Sequence, residues 1–152
     1  GLIVFINDIH ALGLKSSNGL QLITAFYWDI NDKTRTFGER FAKRMNGKIP
    51  SMSQAGSYSA TLAYLNAVAK SGSAKDGAAV VSAMRAAGTF DDPLFGKTSI
   101  RADGRVIHDM YLVEVKKPEE SKKPYDYYKV ISVIPGDKAF RPLSDGACSL
   151  AK

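Results

Sequence analysis

The sequence predicts an α/β fold, and three features of its pattern indicate this class. Short, uninterrupted apolar runs at residues 2–6 and 20–25 are typical of strands that are buried on both faces of a sheet. Asn7 and Asp8, which favour the start of a helix, follow the first run directly. Long helical patterns then occupy the middle of the chain before strand patterns return. Strands that alternate with helices in this way are the signature of an α/β protein.

Four helices are predicted, one between these two strands and three after the second strand. A short one runs from Ile9 to Leu14, and residues 16–19 form a turn after it. The next is capped by Asn31 or Asp32, and two further helices lie at residues 51–71, beginning at Ser51 or Ser53, and at residues 76–85. Their apolar positions are Phe37, Phe41 and Met45, then Tyr58, Leu62, Leu65 and Val68, then Val80, Val81 and Met84.

In the last third of the chain, the sequence pattern predicts strands. Residues 91–93 read as a turn, and the Asp-Gly pair in residues 102–105 is typical of a tight hairpin between two strands. Residues 117–124 are polar and bounded by proline, as in a linker or a long surface loop. The predicted strands of this region are residues 97–101, 107–116 and 127–134.

Composition argues against a nucleic-acid-binding protein. The chain has 152 residues, the length of one domain, and a net charge of +6. Its basic residues are scattered in short pairs beside acidic ones, and no segment alternates basic and aromatic residues as a single-strand-binding groove does. We therefore expect a solvated basic surface and no nucleic-acid partner.

The beginning of the chain and its single cysteine predict a piece of a larger protein. Gly1 is followed at once by a core-strand pattern, with neither a signal peptide nor a membrane-spanning run. Cys148 has no second cysteine to pair with. An exposed strand of this buried type at residues 2–6 would also allow two copies to form a homodimer through it.

Three groups of residues are candidates for ligand binding. Asn7 and Asp8 follow a strand, where polar side chains can meet a ligand, although a plain helix cap explains them equally well. The start of the long helix offers unpaired amides and a positive dipole end to an anion. The candidates there are Gln54, Ala55, Gly56 and Tyr58.

Phe26 and Tyr27 form the third group, next to the chain's single tryptophan, Trp28. Aromatic rings at the end of a strand can stack on an aromatic ligand, while packing within the core is the alternative.

No pattern of catalytic or metal-binding residues is found. His108 and Asp109 are adjacent, and neighbouring residues on a strand face opposite ways, which argues against a catalytic pair. The chain has no phosphate-binding glycine loop, no zinc signature and no nucleophile elbow. We therefore predict a protein that is not an enzyme and that uses no catalytic residue, cofactor or metal.

Five segments of the chain closely resemble a known family. They are GLIVFINDIHALGL, TAFYWDINDKTR, MSQAGSYSATLAYLNAV, DDPLFGKTSIRADGRVIHDMYLVEVKKP and YDYYKVISVIPGD. Together they resemble the C-terminal part of type I periplasmic solute-binding proteins of ABC importers, within the branched-chain amino-acid-binding family and its aromatic-acid branch. The resemblance covers nearly all of this chain but less than half of a mature family member.

The resemblance implies two Rossmann-like lobes, each of three αβα layers, that close on a ligand held in the cleft between them. Residues 1–25 would belong to the C-terminal lobe, residues 26–116 to the N-terminal lobe, and residues 117–152 to a linker and a return strand. It also implies an exported, periplasmic protein whose partners are a small organic acid, an ABC permease in the inner membrane, and the N-terminal part of the same protein. The ligand would be an aromatic carboxylate or a branched-chain amino acid.

Two other functions fit the same residues. The fold also serves as a ligand-sensing module of receptors, which a fused signalling segment would reveal. An α/β enzyme domain would instead need a nucleophile or a metal cluster at the strand ends, where we find Asn7, Asp8 and aromatic residues.

Overall fold

The computed structural model of the chain describes residues 3–146, and these form two compact units. The first unit comprises the chain up to Ala55 together with Met110–Ile134, and the second comprises Gly56–Asp109 together with the chain from Pro135. Each unit has its own antiparallel sheet of three strands. None of the described helices is both long and apolar enough to cross a membrane.

The first unit combines helices with a sheet in which β5 is central. Its elements are α1 (Ile6–Leu12), α2 (Leu14–Ser17), β1 (Gln21–Thr24), α3 (Asp32–Arg44), the start of α4 (Met52–Ser71), β5 (Met110–Val115) and β6 (Tyr128–Ile134). Leu22 of β1 pairs with Val113 of β5, which pairs with Val130 of β6 beside a bulge. Leu22, Val113 and Val115 are buried, so one face of this sheet forms the core of the unit.

The second unit holds the remainder of α4, together with α5 and a small sheet. Its further elements are α5 (Gly77–Ala86), β2 (Thr89–Asp92), β3 (Gly96–Ile100), β4 (Val106–Ile107) and α6 (Gly136–Ala139). Val80 of α5 and Thr98 of β3 are almost completely buried. Asp92 is buried as well, and it accepts hydrogen bonds from Ser59 Oγ at 2.5 Å and from the amide of Leu94 at 2.8 Å. A buried carboxylate with these partners joins α4 to the turn after β2.

Several predicted elements are confirmed within a residue or two. The helix capped by Asn31 is α3, and the helix at residues 76–85 is α5, whose cap is Asp76. The long helix is α4, and the Asp-Gly turn at residues 102–105 joins β3 to β4, with Gly104 at φ 81°. These elements carry their start and stop signals in adjacent residues.

The strand predicted at residues 2–6 is wrong. Residues 3–5 are irregular, Ile3 is 84% exposed, and a helix already begins at Ile6. The amide of Phe5 donates to Asp8 Oδ2 at 2.7 Å, and this local bond starts the helix. A buried strand needs neighbouring strands to bond its backbone, and none pairs with residues 3–6. The predicted pairing of two copies through that strand therefore lacks its structural basis.

Other predicted boundaries also need correction. Residues 16–19 include the end of α2, and the turn predicted at residues 91–93 overlaps strand β2, which was missed. The strand predicted at residues 107–116 is split, because His108 and Asp109 interrupt it. On α4 the buried positions are the small residues Ala55, Ser59 and Ala67, whereas Leu65 is 55% exposed. The face of α4 that is buried therefore carries small side chains, which allow close packing, and it differs from the face that hydropathy predicts.

Candidate functional site

The amino end of α4 is organised by a capping box. The Ser51 amide donates to Gln54 Oε1 at 2.9 Å, and the Ser51 hydroxyl donates to the same oxygen at 2.6 Å. In return, the Ser53 amide donates to Ser51 Oγ at 3.2 Å. Serine followed three residues later by glutamine is the sequence pattern for this arrangement. Gln54 is one of the predicted ligand-binding residues, and its side-chain oxygen is used within the helix start.

The aromatic residues after β1 are packed in the core of the first unit. The Phe26 ring meets the edge of Phe37 at 6.0 Å between centroids. The Tyr27 hydroxyl and the Trp28 indole both donate to the carbonyl of Tyr125, at 3.3 and 2.9 Å. Burial, followed by the charge of Asp126, raises the pKa of Tyr27 well above its ordinary value. These contacts hold the rings in one arrangement.

A small cleft lies among residues of the first unit, and the free space inside it is about 10 Å³, close to the minimum that holds one water molecule. The amino end of α4 forms one side of this cleft, which also includes two of the predicted ligand-binding residues. The lining residues are Phe5, Ile6, Thr24, Phe26, Tyr27, Pro50, Ser51, Met52 and Tyr128.

The hydroxyl groups of this cleft differ in their partners. Thr24 Oγ1 donates to the carbonyl of Phe26 at 2.9 Å, and the protons of the Ser51 and Tyr27 hydroxyls are also committed. The Tyr128 hydroxyl is buried, since Tyr128 is only 4% exposed, and no group within residues 3–146 forms a hydrogen bond with it. Burial, and to a lesser extent the charge of Asp8, raises the pKa of Tyr128, so this hydroxyl keeps its proton at neutral pH.

Sequence reasoning missed Tyr128 as a site residue. It lies within the run Tyr125-Asp126-Tyr127-Tyr128, and nothing local distinguishes one of these tyrosines from the next. The structure does distinguish them, because Tyr127 bonds His10 Nδ1 at 2.7 Å and the carbonyl of Tyr125 is an acceptor for the aromatic cluster.

The other predicted site residues do not line this cleft. Asn7 and Asp8 lie exposed on α1, and Asp8 caps the helix start. Ala55 is buried, and Tyr58 is partly buried on the next turn of α4. Gly56 lines a separate, largely apolar pocket of the second unit, with Ser59, Phe90 and His108. Phe26 and Tyr27 are thus the predicted residues that the cleft brings together.

Ion pairs fix the segments beside the aromatic cluster. Lys123 Nζ lies 2.9 Å from Asp29 Oδ2 and 4.6 Å from the centre of the Trp28 ring. Burial disfavours the charge of Asp29, but hydrogen bonds from Lys123 and Arg35 outweigh it and lower its pKa. Lys116 pairs with Asp126 at 2.5 Å, and the pKa of Asp126 is lowered in the same way against the effect of its burial.

Residues with metal-binding or catalytic side chains do not assemble in the part of the chain that the structure describes. No group of three His, Cys, Asp or Glu side chains is close enough there to hold a metal ion. His108 Nδ1 lies 2.7 Å from the carbonyl of Asp109, while the Asp109 carboxylate accepts from the amide of Gly136 at 2.9 Å. Cys148 lies outside the described residues.

Comparison with known proteins identifies the family. Residues 1–123 match the family described as Periplasmic binding protein. The chain belongs to this family. The comparison with curated proteins gives no match.

Solved structures of this family are closely similar to the chain. A periplasmic binding protein from Burkholderia mallei is 45% identical with a TM-score of 0.93, and the alignment covers 100% of this chain and 40% of that one. A branched-chain amino acid ABC transporter periplasmic ligand-binding protein from Burkholderia xenovorans LB400 is 42% identical with a TM-score of 0.89, over 97% of this chain and 38% of its own. The chain therefore has part of the type I periplasmic-binding-protein fold and spans about two-fifths of these relatives.

A more distant structure shares the fold. It is a solute-binding protein of an ABC transporter from Rhodopseudomonas palustris BisB5, in complex with 3,4-dihydroxybenzoic acid. It is 19% identical, with a TM-score of 0.65, over 80% of this chain and 32% of its own.

Proposed function

We propose that this chain is part of the solute-binding component of an ABC transporter and that it has no enzymatic activity. Its role would be to bind a small organic acid outside the cytoplasm, in the periplasm, and deliver it to an ABC permease in the inner membrane. The observation that carries the proposal is the 45% identity to a periplasmic binding protein over the whole of this chain. That alignment covers 40% of the relative, so binding of an acid is carried over to this chain as a proposal, which titration of the chain itself tests.

The proposed ligand is an aromatic carboxylate or a branched-chain amino acid. The first unit supports an acid with an apolar body, because the amino end of a 20-residue helix lies there beside Phe5, Phe26 and Met52, with room for one ligand oxygen among them. Helix amino ends attract negative charge, and aromatic walls favour apolar and aromatic groups. The branched-chain amino acid transporter protein from Burkholderia xenovorans and the 3,4-dihydroxybenzoic acid complex from Rhodopseudomonas palustris suggest which acids to test.

The predicted site residues keep their places in this proposal. Phe26 and Tyr27 would form the walls against the ligand body, and Gln54 would lie beside its carboxylate at the start of α4. The Ala55 amide donates to the Ser51 carbonyl at 3.1 Å and Gly56 lines a pocket of the second unit, so these two residues stay proposed ligand-binding residues without a contact to this cleft. The remaining predicted residues lie outside the cleft of the first unit and stay proposed polar contacts of the ligand. They are Asn7, Asp8 and Tyr58.

The lobe assignment also remains a proposal. Residues 1–25 would belong to the C-terminal lobe, residues 26–116 to the N-terminal lobe, and residues 117–152 to the linker and return strand. A ligand that touches both lobes of the whole protein would favour the closed state by population shift. The receptor-module and enzyme alternatives have no specific observation in their favour among residues 3–146.

A thermal-shift series tests the proposed ligand class. We expect 3,4-dihydroxybenzoate, benzoate or leucine to raise the melting temperature of the chain, because a ligand that binds only the folded state stabilises it by mass action. Methyl benzoate is the matched control, since it keeps the ring and loses the negative charge. The proposal fails if none of the acids raises the melting temperature, or if the ester does so as strongly as benzoate.

A further inference from the structure

We propose that the Tyr128 hydroxyl is a specificity-determining donor, which hydrogen-bonds a single acceptor oxygen of the bound organic acid. This inference rests on the proposed function and adds to it a residue and the type of ligand atom that the residue recognises.

The first argument is the unmet hydrogen-bonding capacity of Tyr128. Its side chain is almost completely buried, and its hydroxyl has no partner within the described part of the chain. Buried polar groups are nearly always hydrogen-bonded, so an unpaired one calls for a partner from outside the chain. A bound molecule that reaches the cleft would supply that partner.

The second argument is that Tyr128 has the uncommitted donor of the cleft. Thr24 gives its proton to the Phe26 carbonyl, Ser51 gives its proton to Gln54, and Tyr27 gives its proton to the Tyr125 carbonyl. Of the hydroxyl groups of residues 3–146 that line the cleft, the one on Tyr128 is therefore available to donate a hydrogen bond to a bound ligand. A phenol that stays protonated must be matched by an acceptor for its proton.

The third argument concerns the size and polarity of the space. The free space of the cleft, about 10 Å³, holds one small atom such as an oxygen, so the rest of a bound acid would lie outside the cleft. Ser51 and Met52 place the amino end of α4 on the same cleft, and its partial positive charge favours an oxygen that carries negative charge. The Tyr128 hydroxyl, the amino end of α4 and the small volume of the cleft together favour one acceptor oxygen on an otherwise apolar acid.

The test is calorimetric titration of 3,4-dihydroxybenzoate into the chain and into Tyr128→Phe. We expect the substitution to weaken binding about ten-fold, the size of effect typical of one lost hydrogen bond to a charged group. The free Tyr128→Phe protein should melt at the same temperature as the unaltered chain or higher, because phenylalanine removes an unpaired polar group. Tyr64→Phe is the matched control, since Tyr64 lies exposed on α4, and its affinity should not change.

The outcomes separate this inference from the proposed function. If the unaltered chain binds none of the acids, the proposed function fails and this inference fails with it. If the chain binds and Tyr128→Phe binds equally well, the inference alone is overturned and the hydroxyl serves a water molecule.

A second measurement does not depend on the variant. In a crystal of the unaltered chain soaked with 3,4-dihydroxybenzoate, we expect a ligand oxygen about 2.5–3.0 Å from Tyr128 Oη. A water molecule alone at that position would overturn the inference.

Discussion

At the scale of single residues, the carbonyl of Tyr125 organises the neighbourhood of the cleft. It accepts from both the Tyr27 hydroxyl and the Trp28 indole, and the Tyr125 ring stacks on His10 at 4.4 Å. Tyr125 has a φ of 62°, which is uncommon for a residue with a side chain and requires support from its surroundings. The two buried donors give this support, so the aromatic wall beside the cleft is held in one position.

Gly136 is the position where a single methyl group should be most damaging. A Cβ atom added there would lie 2.9 Å from the backbone carbon and oxygen of His108 in the same unit, and backbone atoms cannot rotate away. We expect Gly136→Ala to lower the free energy of unfolding by about 1–3 kcal/mol, measured by urea denaturation.

Gly77→Ala is the matched control for this prediction. Gly77 is the first residue of α5, and a Cβ atom there would meet nothing within 4 Å. Alanine should leave stability unchanged or increase it by a few tenths of a kcal/mol, roughly the helix-propensity difference. Equal losses in the two variants would contradict the steric explanation.

At the scale of elements, helix starts are set by pairs of side chains three residues apart. Asn31 accepts from the Thr34 amide at 3.0 Å while the Thr34 hydroxyl accepts from the Asn31 amide at 3.0 Å. Ser51 and Gln54 make the corresponding pair at α4. Such boxes satisfy amides that a helix leaves unpaired, and so they determine where α3 and α4 begin.

Replacing the cap of α3 tests this view. We expect Asn31→Ala to lower the free energy of unfolding by about 1 kcal/mol, because the Thr34 amide loses its acceptor. Asn66→Ala is the control, since Asn66 lies exposed within α4 and away from any helix end, and it should change stability little. Urea denaturation with circular dichroism measures both, and a loss of the same size at Asn66 would argue against capping.

At the scale of the whole molecule, acid should destabilise the folded chain. Asp29 and Asp126 have lowered pKa values because hydrogen bonds from lysine, arginine or backbone amides outweigh their burial. The hydrogen bond from Arg101 lowers the pKa of Asp103 to about 2. A carboxyl whose folded pKa is lowered stabilises the fold above its unfolded pKa of about 4, and this contribution is lost as pH falls through the folded value.

Asp126→Asn isolates one of these groups. At pH 7 we expect a loss of roughly 2 kcal/mol in the free energy of unfolding, because the side chain of Asp126 is only 9% exposed and Lys116 would lose its charged partner. The difference from the unaltered chain should shrink as pH falls from about 4 towards 2, where the native carboxyl is protonated as well.

Asp137→Asn serves as the comparison for this pH series. Asp137 is exposed on α6, and its replacement should change the free energy of unfolding little at pH 7. If Asp126→Asn changed it as little, the Lys116 pair would contribute nothing measurable to stability.

The predictions from sequence succeeded where a signal lies within a few residues. The caps of α3 and α5, the Asp-Gly turn and strand β1 were all located in this way. The prediction for residues 2–6 failed because hydropathy cannot show whether neighbouring strands are present to bond the backbone. The buried face of α4 was also missed, because small residues such as Ala55 and Ser59 pack closely without a strong apolar signal.

The residues of the candidate site were likewise predicted correctly in some positions and wrongly in others. Phe26 and Tyr27 were identified from their position after a strand, and the structure brings both to the cleft at the amino end of α4. Asn7 and Asp8 were chosen on the same reasoning, but they lie exposed on α1 because the strand before them does not form. Residue type and chain position predict candidates, and the partners of each side chain then separate one from another.

By itself, the sequence determined the family, the α/β class, the starts of α3, α4 and α5 and the hairpin turn, because these depend on residue order and on contacts between near neighbours. Only the tertiary structure decided that β1, β5 and β6 share one sheet and that, within residues 3–146, no group bonds the buried Tyr128 hydroxyl. Both depend on contacts between residues that are distant in the chain, such as Leu22 with Val113. Hydrogen-bond satisfaction is a property of such distant contacts, and local patterns therefore do not reveal it.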